Sequence, residues 1–154
     1  MMRIAMLANL AAFSLVVSQP LFYLLALTAA QRSLSAAAYV ELRQALNRIM
    51  TKRISVLYVA TLVTSVLLLA LAYGAGNTLV LATTALALLG LIGDVRYMLG
   101  ENVPINRVMD GWSASDCPPD WETYRERWLG LFAYRQVLLA VAFSSLLVGA
   151  VFDR

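Results

Sequence analysis

Long apolar runs alternate with short polar segments along this chain, and the lengths of the runs set its architecture. Residues 4 to about 30 are apolar almost without a break, more than the roughly 20 residues that a helix needs to cross a bilayer. That stretch is too long for the roughly 7–15-residue core of a signal peptide, so it reads as a retained helix. Further runs cover about 54–73, 78–99 and 128–151. Before the second, residues 36–53 form an amphipathic helix capped by the Ser33-Leu34-Ser35 stretch. Tyr39, Leu42, Ala45, Leu46 and Ile49 fall on one face, with Glu41, Arg43, Gln44, Asn47 and Arg48 on the other. This helix is expected to continue through Lys52-Arg53 into the second span. Gly74-Ala75-Gly76-Asn77 is a tight turn, and Gly100 is placed to end the third helix in the left-handed conformation. A polar loop then spans 100–120, after which Asp120 caps a helix that starts at Trp121 and becomes the fourth span. The expected fold is all-α, a polytopic membrane protein built as a four-transmembrane-helix bundle, with residues 1–154 forming one domain.

Composition supports that pattern: 61% of residues are hydrophobic and the mean hydropathy is +0.74. A pI near 9.3 would point to nucleic acid in a soluble chain, but here the cations gather beside apolar runs, so no nucleic-acid partner is expected. Arg32, Arg43, Arg48, Lys52 and Arg53 flank the first connection, and Arg107, Arg125 and Arg127 the third, leaving Arg3 and Arg154 on the opposite side. The positive-inside rule then puts the protein in the cell inner (cytoplasmic) membrane, multi-pass, with both termini on the non-cytoplasmic side. The chain has no His and a single Cys117, which excludes an intrachain disulfide, His-ligated haem or zinc and the usual general base. No cofactor and no metal are expected. The partners are the lipid bilayer, a lipophilic small molecule and, as a further option, a second copy of the chain.

Three features carry candidate chemistry. The first is Glu101-Asn102-Val103-Pro104-Ile105-Asn106, where Pro104 disfavours helix at Val103 and starts a short new helix. The amides of Asn102 and Asn106 either donate to a substrate oxyanion or satisfy loose backbone groups at the break. The second is buried charge: Asp94 and Arg135 fall at similar depth on antiparallel helices and are expected to pair, with Arg96 as the competing partner. The pair is a structural staple or part of the site. The third is the aromatic group Trp112, Trp121, Tyr124 and Trp128, read as interfacial anchors or as a flat slot for an aromatic or quinone-like ligand. The helix bearing Glu41 and Gln44 would close that slot. In the first run Pro20 bends the helix, and Gln19 beside it either answers a polar group or merely accompanies a packing kink.

Asn102-Val-Pro104-Ile-Asn106, followed by Trp121, Arg127-Trp128 and Arg135, resembles the small four-helix membrane family that includes the anthrone oxygenases. The Gln19 region and the Tyr39–Gln44 helix extend the likeness over nearly the whole chain. The resemblance implies a four-helix bundle and, for some relatives, oxidation of an anthrone to an anthraquinone by molecular oxygen without a cofactor. It implies that Asn102 and Asn106 bind an oxyanion, that Arg127 or Arg135 stabilises its charge and that Trp128 stacks on the substrate. It makes Gln19, Glu41, Gln44, Asp94, Pro104 and Trp121 candidate binding residues. Where that family often has a histidine, this chain reads Leu129-Gly-Leu-Phe-Ala-Tyr134, leaving Glu41 or Glu101 as the substitute base. A membrane protein that binds a lipophile without turnover, or serves as a subunit of a larger assembly, is the alternative.

Overall fold

The computed structural model describes residues 1–153 and contains four long helices, α1 (Met2–Arg32), α2 (Ala36–Gly74), α3 (Thr78–Asp110) and α4 (Trp121–Phe152). Each is long and apolar enough to cross a membrane, so the molecule is an all-α, multi-pass bundle. Arg154, counted above in the orientation argument, lies outside the described residues. The helices pack in a ring, α1 against α2 and α4, and α3 against α2 and α4. Leu, Val, Ile and Phe side chains cover the outward faces, among them Leu25, Val63, Leu89 and Val137. Lipid tails are as apolar as these side chains, so close packing and polar links hold the helices together.

The α3–α4 contact shows the packing term directly. A Cβ on Gly90 would come within 2.7 Å of the Ala142 Cβ, and one on Gly149 would overlap the Thr83 hydroxyl. Between them the Ser145 hydroxyl donates to the Thr83 carbonyl at 3.1 Å. Small residues thus let two backbones approach. On α1 the buried Asn9 donates to Ser65 Oγ at 2.8 Å and Thr64 Oγ1 at 3.0 Å on α2. Tyr58, Thr61 and Ser65, which recur at helical spacing along α2, are buried against the other helices. The α2–α3 turn closes on Gly76, whose φ of 67° needs a residue without Cβ, and on Asn77, whose side chain caps Val80 N at 3.0 Å.

Two sequence expectations change at the prolines. Gly100 does not end the third helix and Val103 does not leave helical space: Val103 has φ −64° and ψ −44°. The chain instead widens into a π-helical turn over Met98–Asn102 and re-enters α-helix at Val103–Asp110. The extra residue of a π turn removes the carbonyl that the Pro104 ring would strike, so the helix survives its proline. A second π turn, over Tyr23–Leu27, follows Pro20 in α1. The polar loop shrinks accordingly from 100–120 to the segment between Asp110 and Trp121. Ser35 caps α2 through Ala38 N at 3.4 Å, whereas the Asp120 side chain makes no cap bond to α4.

Candidate functional site

The two π turns sit at the same end of the bundle, where the α1–α2 and α3–α4 connections lie, and a cavity of about 370 Å³ opens between them. All four helices line it, with Gln19 and Tyr23 from α1, Arg43 from α2, Asn102 and Asn106 from α3, and Trp128, Phe132 and Arg135 from α4. A π turn displaces the helix face by about one residue, which is how Asn102 comes to face inward. Asn102 is 2% exposed, and neither atom of its amide has a hydrogen-bond partner.

Arg43 dominates the electrostatics. Its guanidinium is 5% exposed and lies 3.9 Å from the centre of the Trp128 ring. One nitrogen donates to Asn106 Oδ1 at 2.8 Å, and Trp128 Nε1 donates to the same oxygen at 2.9 Å. Arg43 Nε has no partner, and no carboxylate among the described residues forms a salt bridge with Arg43. A buried cation held by a carboxamide oxygen, the neighbouring Tyr23 hydroxyl and a π face has no ion-pair partner, and such a group is expensive unless something negative arrives.

Arg135 is the opposite case. Its Nε donates to Asp94 Oδ1 at 2.7 Å and Nη2 to Asp94 Oδ2 at 3.0 Å. Tyr58 completes a triad by donating to Asp94 Oδ2 at 2.5 Å while accepting from Arg135 Nη2 at 2.9 Å. The expected Asp94–Arg135 pair is present, and Arg96 points outward. Asp94, fully buried behind Arg135, does not line the cavity.

Several sequence candidates move away from the site. Arg127 is exposed and pairs with Glu101 at 3.3 Å, so it offers nothing to the cavity and Glu101 is no base there. Glu41 is exposed on the opposite face of α2 from Arg43. Gln44 instead ties the helix to the end of α3, donating to the carbonyl of Trp112 at 2.9 Å. Pro104 is exposed and acts only on the backbone. Trp121 packs against Tyr39 and under Arg125, and Trp112 packs edge-on to Tyr124. Of that aromatic group only Trp128 reaches the cavity, with Tyr23 and Phe132 beside it. Cys117 sits in the loop; desolvation, then Asp116 and Asp120, push its thiol up, which makes it a poor nucleophile.

Arg43 is the residue that the sequence reading placed on a solvated face. A signal for it existed. Stepping back along α2 from Ser65, Thr61 and Tyr58 at helical spacing leads through Ile54 and Met50 to Arg43 and Tyr39. The described residues include no cluster of three or more His, Cys, Asp or Glu side chains that could hold a metal ion. Comparison of the chain with family models, with curated proteins and with solved structures finds no match.

Proposed function

We propose that this protein binds a lipophilic phenol or enol as its anion, with the oxygen against Arg43 and Asn102 and the ring system beside Trp128, Tyr23 and Phe132. The buried, uncompensated Arg43 guanidinium facing an unpartnered Asn102 amide carries this reading. A fixed cation in a dry site favours the deprotonated form of a weak acid. Asn106 holds both Arg43 and the Trp128 ring in place. The reaction is oxygenation of the kind carried out by anthrone oxygenases, which the sequence resembles. Loss of a proton from the ring CH2 of the substrate gives the bound enolate; its ring carbon gives an electron pair to molecular oxygen, forming a carbon–oxygen bond, and a proton returns to the peroxide oxygen. Loss of water from the resulting hydroperoxide leaves the quinone carbonyl, so substrate plus O2 becomes quinone plus H2O. The protein sits in the inner membrane, with the cavity end toward the cytoplasm.

Oxygen uptake by membranes containing the protein, supplied with a panel of anthrones and hydroquinones, tests this. Uptake that falls at least tenfold in both Arg43→Gln and Asn102→Ala membranes supports the oxygenase. Equal uptake in all three is substrate autoxidation and rejects it. A second reading, binding without turnover, is favoured by one observation: no carboxylate lines the cavity, so no side chain of the usual general-base type is in reach. It predicts ligand binding that needs Arg43 with no oxygen consumed.

A further inference from the structure

A second concavity lies on the lipid-facing side, between α2 and α3. It encloses about 770 Å³ against the 370 Å³ of the inner cavity. Its walls are apolar apart from Tyr58 and Arg96, with Leu62 from α2 and Leu91 and Ile92 from α3 at the far end. At the near end it shares Tyr58, Val59, Val95 and Leu99 with the cavity that holds Arg43. The two spaces therefore adjoin, with these four residues in the walls of both. From Leu91 to Leu99 the groove follows α3 for about 12 Å, at 1.5 Å per residue. The other part of the cavity rim is polar, with Asn47, Thr51 and Ser55 from α2.

We infer that the ligand is an anionic amphiphile whose head lies at Arg43 and whose apolar chain leaves through the α2–α3 groove, the cavity being entered sideways from the bilayer. The inference rests on the cavity being a ligand site, as proposed above, and adds the class of molecule and its route. Two chemistries meet end to end here: a desolvated cation with an unpartnered amide at one end, and a hydrocarbon-lined trough at the other. A chain leaving past Asn47, Thr51 and Ser55 would strip water from the remaining acceptor capacity of those side chains, a cost that the groove avoids. In the groove the chain exchanges lipid contacts for protein contacts of the same kind, so the groove selects by shape and direction rather than by hydrophobic gain. The head supplies the specificity.

A single-tryptophan protein (Trp112→Phe, Trp121→Phe) in nanodiscs leaves Trp128 as the reporter, since the chain has three tryptophans. The probes are 4-nitrophenol and 2-dodecyl-4-nitrophenol, nitroaromatic quenchers with the same acidic head and with or without a chain. Leu62→Phe/Ile92→Phe fills the far end of the groove; both side chains are exposed, at 41% and 50%, so the bundle keeps its fold and its melting temperature. The expected result is a loss of at least fivefold in affinity for the dodecyl probe and a change of under twofold for 4-nitrophenol. Equal loss for both probes, or no loss for either, overturns the groove as the path of the chain. Unchanged dodecyl affinity with loss of a wild-type dimer would assign the groove to a second copy and equally overturn it. Arg43→Gln separates the levels: quenching by both probes that survives this change sinks the cavity itself as an anion site, whereas quenching abolished for both leaves the groove result to decide.

Discussion

Two buried arginines, about one cavity apart, show what this bundle does with charge. Arg135 meets Asp94 through Nε and Nη2 and Tyr58 through Nη2, so its charge is neutralised by a bound carboxylate. Arg43 is as deeply buried but meets neutral groups, a carboxamide oxygen, the Tyr23 hydroxyl and an indole face, and its Nε is idle. In surroundings of low polarity a closed network fixes helix positions, while an open one stores an unmet demand for charge. The closed set is a staple between α2, α3 and α4. The open set lines the candidate site.

The largest effect that would break this contrast lies in the staple. Asp94→Asn and Arg135→Gln should each destabilise by about 3–5 kcal/mol, because each leaves a buried partner unmatched. The double variant should cost little more than either single one, as read by unfolding in a double-mutant cycle. Additive losses would mean that the pair is not the coupling element. Next comes packing: Gly149→Leu drives a side chain into Thr83 and should cost about 1–3 kcal/mol or more, with loss of the α3–α4 approach visible as a lower melting temperature. Arg43→Gln should change stability by under about 1 kcal/mol, in either direction, because it removes an uncompensated charge together with one hydrogen bond. Its effect belongs to ligand binding, so a collapse in stability comparable to Arg135→Gln would erase the distinction between the two regions. The smallest effect is expected for Arg127→Gln, under about 0.5 kcal/mol and with no change in ligand affinity, since its exposed pair with Glu101 is screened by water. A clear loss of ligand binding in that variant would return Arg127 to the site.

The staple was legible in the sequence because antiparallel helices convert residue counts into depth, and a charge at that depth has few partners to choose from. Asn102, Asn106 and Trp128 were legible as residue types out of place in an apolar chain. Glu41 and Arg43 were not told apart, although they are two residues apart on one helix. Periodicity gives the angle between two side chains of a helix, about 200° here, without saying which one faces the bundle. Once α1 and α4 close around α2, Arg43 is inside and Glu41 outside. Gln44 was misread for the same reason: its amide closes the end of α3, a group far from it in sequence.

The sequence by itself determined the number of spans, their lengths and the turns that join them, since hydrocarbon thickness and backbone hydrogen bonding act on consecutive residues. It also determined that Asp94 needs a partner. Only the tertiary structure decided that Pro104 is absorbed by a π turn rather than breaking its helix. It alone brought Asn102 and Arg43 into the lining of one cavity, beside the groove between α2 and α3. Those outcomes depend on how four helices rotate and approach one another. That is set by the summed contacts of small residues such as Gly90 and Gly149 with their opposite helix, and no local pattern in the chain encodes that sum.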